Sequence, residues 1–86
     1  MIYKILFTKQ AQKDYDKVKA SNLKSRAYKI LSALQDDPIA PPKEKLIGLE
    51  NTYSKRINIQ HRIVYQVFEE EKTVKIIRMW SHYGDN

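Results

Sequence analysis

Alternating apolar positions at the start of the chain predict a β-strand. Residues 2–7 read IYKILF, a run rich in side chains that favour strands, and both of its alternating faces are largely apolar. We therefore expect a strand that is covered on both sides by other parts of the fold.

A first helix should follow this strand. Thr8 is a suitable N-cap, and the apolar residues Ala11, Tyr15 and Val18 form a thin stripe at helical spacing. The pattern predicts a helix that runs to about Lys19.

The second helix has a stronger apolar pattern. We expect it to begin after a cap at Ser21 or Asn22 and to end before Pro38, because the residue before a proline avoids helical geometry. Its apolar positions recur at helical spacing: Leu23, Ala27, Ile30, Leu31 and Leu34.

The remainder of the chain reads as strands. After the proline-rich stretch DDPIAPPKEK come four strand candidates: KLIGL, YSKRINI, RIVYQVF and TVKIIRMWSHY. The element order is β-α-α-β-β-β-β, which predicts one α+β domain over residues 1–86. We expect a curled antiparallel sheet that includes the N-terminal strand, with a helical hairpin packed on one face.

Two arginines lie in the central hairpin of this sheet. If the hairpin turns at Gln60 and His61, strand parity places Arg56 and Arg62 on opposite faces, and only a bulge would bring them together. Exposure to solvent is the simplest interpretation of both residues. The competing interpretation is a pair of guanidinium groups that grip phosphate.

Composition narrows the functional classes. The chain has 86 residues, 42% of them hydrophobic, and no cysteine, which excludes disulfides, thiolate metal sites and cysteine nucleophiles. No segment resembles a membrane span or a signal peptide, so we expect a cytoplasmic protein without a membrane partner.

The charge favours a polyanionic partner. Sixteen Lys and Arg against ten Asp and Glu give a net charge of +6, and the sequence pI is about 9.6. By charge alone, nucleic acid, an anionic membrane or an acidic protein would suit this excess, although a positive surface without such a partner is also common.

Candidate chemistry is concentrated near the C-terminus. The last strand continues into WSHYGDN, and in a regular strand His82 shares a face with Ile76 and Arg78. Tyr83 follows it, and Glu44 stands between two lysines in the proline-rich stretch. An idle terminal histidine and a solvated loop glutamate remain alternatives.

Arg, His, Glu and Tyr without a metal constellation suit RNA. The ribose 2′-hydroxyl can act as an internal nucleophile, so a protein needs only to move protons and stabilise the phosphate. DNA lacks this hydroxyl. We find no metal-ligand spacing, no phosphate-binding glycine loop and no Ser-His-Asp arrangement.

The blocks YSKRINIQHRIVYQV and WSHYGD closely resemble the YoeB/Txe branch of the RelE/ParE superfamily of type II toxins. The resemblance covers essentially the whole chain. It implies a fold related to microbial ribonucleases and an mRNA endonuclease that depends on the ribosome and uses no metal or other cofactor.

The resemblance also implies residue roles. Arg62 would stabilise the scissile phosphate, and Arg56 would be a second phosphate or RNA contact. His82 would donate a proton to the leaving oxygen, Tyr83 would position the nucleotide, and Glu44 would be the general base.

The implied partners are the ribosome with its mRNA and a cognate acidic antitoxin of the YefM/Axe kind; a homodimer is a further option. Two alternatives come from other functional classes. One is a non-catalytic ParE-like toxin that inhibits DNA gyrase, and the other is a basic RNA-binding domain that cleaves nothing.

Overall fold

The first helix begins where the sequence places its cap. The computed structural model describes residues 2–39, 44–45, 48 and 50–79. Strand β1 spans Lys4–Phe7 and helix α1 spans Lys9–Lys19. Thr8 Oγ1 accepts a hydrogen bond from the backbone N–H of Ala11 at 3.0 Å, which confirms the predicted N-cap.

The turn between the helices differs from the prediction. Helix α2 spans Lys24–Asp36, and Leu23 occupies its N-cap position without a side-chain cap. The Ser21 hydroxyl instead donates to the Val18 carbonyl at 2.8 Å and accepts from the Leu23 N–H at 3.1 Å. The predicted cap at Ser21 or Asn22 is therefore wrong, because Ser21 stabilises the turn that ends α1.

Four further strands follow the helices in the described part of the chain: β2 (Glu44–Lys45), β3 (Thr52–Arg56), β4 (Arg62–Phe68) and β5 (Thr73–Arg78). Together with β1 they form one mixed sheet in the order β1-β5-β4-β3-β2. Strand β1 pairs in parallel with β5, and the other neighbours are antiparallel. The α+β class and the element order are confirmed.

The helices cover one face of the sheet. Ile63, Tyr65 and Val67 of β4 alternate toward them, and the core also takes in apolar residues of both helices. The buried helical members are Ala11, Val18, Ala27, Leu31 and Leu34.

Among the described residues, strand β1 is covered on one face only. Ile5 and Phe7 pack against the core, whereas the side chain of Leu6 faces away from the helices and is 48% exposed. The expectation of cover on both sides is wrong, because β1 is an edge strand and both helices lie on the face of Ile5 and Phe7.

A bulge interrupts the alternation of β5. Ile76 pairs with Tyr65, but Arg78 pairs with Val64, so Ile77 is the extra residue. The bulge therefore interrupts the regular alternation that the sequence predicted for this strand, in which Ile76 and Arg78 would share a face.

Candidate functional site

The two hairpin arginines are direct cross-strand partners. Arg56 is the last residue of β3, Arg62 is the first residue of β4, and their Cα atoms are paired in the register. Paired residues of an antiparallel ladder project to the same face. The prediction of opposite faces is therefore wrong: the register places the two arginines side by side on one face of the sheet.

The loop between the strands explains this register. It contains five residues, 57–61, instead of the two that the sequence suggested. Its first residue, Ile57, is buried and its N–H donates to the His61 carbonyl at 2.8 Å. Because the loop has an odd number of residues, strand alternation puts the two residues that flank it, Arg56 and Arg62, on the same face as a direct pair.

Asn58 holds the loop closed. Its Oδ1 accepts hydrogen bonds from the backbone N–H groups of Gln60 at 2.9 Å and His61 at 2.7 Å. From the helical layer, Arg26 Nη1 donates to the Ile57 carbonyl at 3.0 Å. Local turn chemistry and contact with α2 together set where β4 begins.

Ser54 orients one of the two arginines. Arg62 Nη1 lies 3.3 Å from Ser54 Oγ, and the serine is buried on the face turned away from the helices. A side chain held by a buried hydroxyl has fewer rotamers to lose when it binds a ligand. This contact therefore pre-organises the Arg62 guanidinium.

Glu44 occupies the strand position next to Ser54. Glu44 is the first residue of β2 and pairs with Ser54 of β3, which pairs on its other side with Val64 of β4. Glu44 and Arg62, the predicted base and phosphate ligand, therefore belong to the two strands that flank β3 on either side. The predicted strand KLIGL lies largely outside the described residues, which retain Lys45 and Gly48 of it.

His82 and Tyr83 lie outside the described residues, so their roles stay predictions. The described chain ends at Met79, directly after β5. Arg78 pairs with Val64, two residues from Arg62, which places the end of β5 at the same end of the sheet as the arginine pair.

Sequence reasoning missed a buried carboxylate. Asp14 is fully buried on α1; its Oδ2 accepts from Arg78 Nε at 2.9 Å and from the Met79 N–H at 3.1 Å. Asp14 lies at helical spacing between Ala11 and Val18, and an acidic residue inside an apolar stripe is the signal that could have revealed it.

Burial and hydrogen bonding act on this carboxyl in opposite directions. Burial alone would raise the pKa of Asp14. The hydrogen bonds from Met79, Arg78 and Gln10 and the positive charge of Arg78 outweigh that effect, so the pKa of Asp14 lies below its usual range. Asp14 is therefore a carboxylate at neutral pH.

The arrangement is suited to binding an anion. Two arginines paired across the strands carry forked donors of the kind that match phosphate oxygens, and the whole chain carries a net charge of +6. Within the described ranges, no group of three potential metal ligands comes together. No described helix has the length and apolar character needed to cross a bilayer.

Comparison with known proteins agrees with this fold. Residues 5–85 match the family described as the ParE toxin of the type II toxin-antitoxin system parDE. No curated protein sequence matches the chain.

Four solved structures are similar to the chain. A YoeB/ParE toxin from Agrobacterium tumefaciens superposes with a TM-score of 0.84 at 24% identity, over 93% of this chain and 99% of that chain. The YoeB dimer from Staphylococcus aureus has a TM-score of 0.82 at 28% identity, over 96% of this chain and 100% of that chain.

A YoeB-YefM complex from S. aureus gives a TM-score of 0.78 at 29% identity, over 96% of this chain and 100% of that chain. The intact RelBE toxin-antitoxin complex from E. coli gives a TM-score of 0.80 at 26% identity, over 93% of this chain and 96% of that chain. The resemblance to the YoeB branch of the RelE/ParE superfamily is confirmed.

Proposed function

Because this chain belongs to the ParE toxin family of type II toxin-antitoxin systems, we propose that it is a toxin that cleaves mRNA on the ribosome. The observation that carries this proposal is the direct pairing of Arg56 with Arg62 on the face turned away from the helices. Such a pair supplies positive charge where a phosphodiester gains negative charge during cleavage.

The proposed reaction uses the RNA's own 2′-hydroxyl. Glu44 removes its proton, and the 2′-oxygen then attacks the neighbouring phosphorus while Arg62 and Arg56 hold the phosphate oxygens. The bond from phosphorus to the 5′-oxygen breaks, and His82 gives that oxygen a proton. The products are a 2′,3′-cyclic phosphate and a 5′-hydroxyl end.

Tyr83 is assigned to positioning the nucleotide. Correct positioning matters because the 2′-oxygen, the phosphorus and the leaving oxygen must lie roughly in line for displacement. The Ser54 contact to Arg62 supports the same requirement from the protein side.

The test is to express the wild-type chain, Arg62→Ala and His82→Ala from an inducible promoter. Primer extension on a reporter mRNA should map cuts within minutes for the wild type and none for the variants. Purified protein should cut the same mRNA only when translating ribosomes are present. Uncut mRNA in wild-type cells that stop growing would refute the proposal.

A second candidate function is inhibition of DNA gyrase, favoured by the matching family, which carries the name ParE. It predicts the opposite result in the same cells, namely intact mRNA together with induction of the DNA-damage response. It also predicts that growth inhibition does not depend on His82.

We further propose a cognate antitoxin as the protein partner, in the cytoplasm. Structures of YoeB from S. aureus were solved as a dimer and in complex with YefM. A net charge of +6 suits an acidic antitoxin segment of the YefM/Axe kind. Homodimerisation and binding to the ribosome and its mRNA belong to the same proposal.

A further inference from the structure

The hairpin loop replaces one backbone hydrogen bond at Ile57. Ile57 and His61 are the first and last residues of this loop, directly inside the paired Arg56 and Arg62. Two residues in this position of a regular hairpin exchange both of their backbone hydrogen bonds. Here the Ile57 N–H donates to the His61 carbonyl at 2.8 Å, but the His61 N–H donates to Asn58 Oδ1 at 2.7 Å instead of returning to Ile57. The Ile57 carbonyl therefore needs a donor from elsewhere.

Arg26 of helix α2 supplies that donor. Its Nη1 donates to the Ile57 carbonyl at 3.0 Å. Ile57 is 1% exposed, so its carbonyl is shielded from bulk water. A buried carbonyl without a donor is costly, and a charged donor forms a stronger hydrogen bond than a neutral one. The conformation of the loop therefore depends on a side chain from the helical layer.

Arg26 reaches the hairpin from the side opposite to the arginine pair. Ile57 belongs to the core that the helices cover. Arg56 precedes Ile57 in the chain, so strand alternation turns it, together with its partner Arg62, to the other face of the sheet. The sheet thus separates Arg26 from the candidate phosphate site, and Arg26 acts on that site through the backbone of the hairpin.

The contact opposes a repulsion at this end of the hairpin. Arg56 and Arg62 carry like charges and are paired where β3 ends and β4 begins. Like charges directly opposite each other destabilise a strand pair, and the ends of strands open most readily. Because Ile57 follows Arg56 directly, a fixed Ile57 carbonyl restricts this opening. The two arginines are thereby held together before a phosphate binds.

We propose that Arg26 is a positioning residue that keeps Arg56 and Arg62 paired for binding a phosphate of single-stranded RNA. The inference rests on the proposed RNA cleavage for its catalytic part. It assigns Arg26 no contact with the substrate; Arg26 acts through the Ile57 carbonyl.

The first test compares Arg26→Met with Lys29→Met, because Lys29 is an exposed residue of the same helix and each variant loses one positive charge. Amide hydrogen exchange at Ile57 and the NMR signals of the Arg56 and Arg62 Nε–H groups are recorded for each protein. Loss of a charge-assisted hydrogen bond should accelerate exchange at Ile57 about ten- to a hundredfold and shift the arginine signals, in Arg26→Met only. Unchanged exchange or unchanged arginine signals in Arg26→Met overturn the proposal.

The second test is a double-mutant cycle on RNA binding, measured by fluorescence anisotropy at low salt and well below the unfolding temperature. The probe is a short 2′-O-methyl RNA oligonucleotide, which lacks the attacking hydroxyl and stays intact. Arg26→Met should weaken binding about tenfold in the otherwise wild-type protein, but less than about twofold in a background that carries Arg56→Gln and Arg62→Gln. A purely structural role would lower the unfolding temperature without this coupling. Equal losses in both backgrounds overturn the proposal.

Arg26→Gln is the second variant if Arg26→Met does not fold, because glutamine is polar and its shorter side chain ends before the position of Nη1. It should show the same faster exchange at Ile57 and the same weaker binding; wild-type values for both overturn the proposal. A wild-type chain that does not bind the oligonucleotide overturns it too. A wild-type chain that binds the oligonucleotide but cuts no mRNA on translating ribosomes refutes the proposed function alone, because the exchange and the cycle involve no cleavage.

Discussion

Arg56 and Arg62 face each other across the β3–β4 hairpin as directly paired residues. Like charges in this relationship repel each other and destabilise a strand pair. A phosphate bound between the two guanidinium groups would replace that repulsion with charge-assisted hydrogen bonds. On the proposed function, a bound phosphate would therefore stabilise this end of the hairpin.

Removing one arginine should affect catalysis strongly. Arg62→Ala should slow mRNA cleavage about 100- to 1000-fold, the usual effect of removing one donor that stabilises transition-state charge. Arg62→Lys should recover little, because an ammonium group cannot form the forked contact. Single-turnover cleavage on purified ribosomes measures both.

Lys75→Ala is the matched control, since Lys75 is exposed and lies on the face turned away from the helices, toward the opposite end of the sheet. It should cleave within about twofold of wild type, because surface charges far from a site have small effects. A loss as large as that of Arg62→Ala would show that net charge, not position, matters.

Arg56 and Arg62 should also contribute to the salt dependence of RNA binding. For single-stranded RNA, each phosphate contact contributes about 0.7 to the slope of log affinity against log salt. Arg56→Gln and Arg62→Gln should each reduce the slope by about that amount, and the double variant by about twice as much. Fluorescence anisotropy in a His82→Ala background measures binding without cleavage. Equal slopes for all proteins would exclude phosphate contact by these residues.

The sequence was a good guide to the helices, because their signals are local. The N-cap at Thr8 and the stop before Pro38 depend on residues within a turn of each helix, and both are confirmed. The turn at Ser21 was predicted less well, since the serine's partner depends on how α1 ends.

The sheet depends on contacts that no local pattern encodes. The parallel pairing of β1 with β5 joins the two ends of the chain. The register of the arginine hairpin depends on the burial of Ile57 and its contact with Arg26 of α2, so strand parity alone gave the wrong face. Asp14 was overlooked because its donors lie at the other end of the sequence.

Destabilising the hairpin loop should impair the candidate site, although the loop itself lies outside the site. Asn58→Ala removes the acceptor for two backbone N–H groups, and we expect a loss of about 1–3 kcal/mol in the free energy of unfolding. Cleavage should fall too, because the loop fixes the pairing of Arg56 with Arg62. Thermal unfolding and single-turnover cleavage measure the two effects.

Gln60→Ala is the control within the same loop, because the Gln60 side chain is exposed and only its backbone N–H contacts Asn58. It should change the free energy of unfolding by less than about 0.5 kcal/mol. Equal destabilisation by both variants would show that loop composition, not the Asn58 contacts, sets the register.

Asp14 should control stability in acid. Its folded-state pKa is lowered, so its contribution to folding is complete above the unfolded-state pKa of about 3.9 and is lost as the pH falls toward the folded value. Asp14→Asn should be about 1–3 kcal/mol less stable at pH 7, and the difference from wild type should shrink below about pH 4. Urea unfolding across this pH range measures it, and a constant difference would contradict the assignment.

The phenol of Tyr65 should be dispensable for folding. Tyr65 is fully buried, its hydroxyl has no hydrogen-bond partner among the described residues, and burial raises the pKa of this phenol. An unsatisfied buried hydroxyl costs about 1–3 kcal/mol, so Tyr65→Phe should leave stability unchanged or raise the unfolding temperature by several degrees. Tyr53→Phe, which alters the partly exposed ring stacked 6.0 Å away, is the control. Calorimetry decides: a clear loss of stability in Tyr65→Phe alone would mean that the hydroxyl makes a stabilising contact in solution.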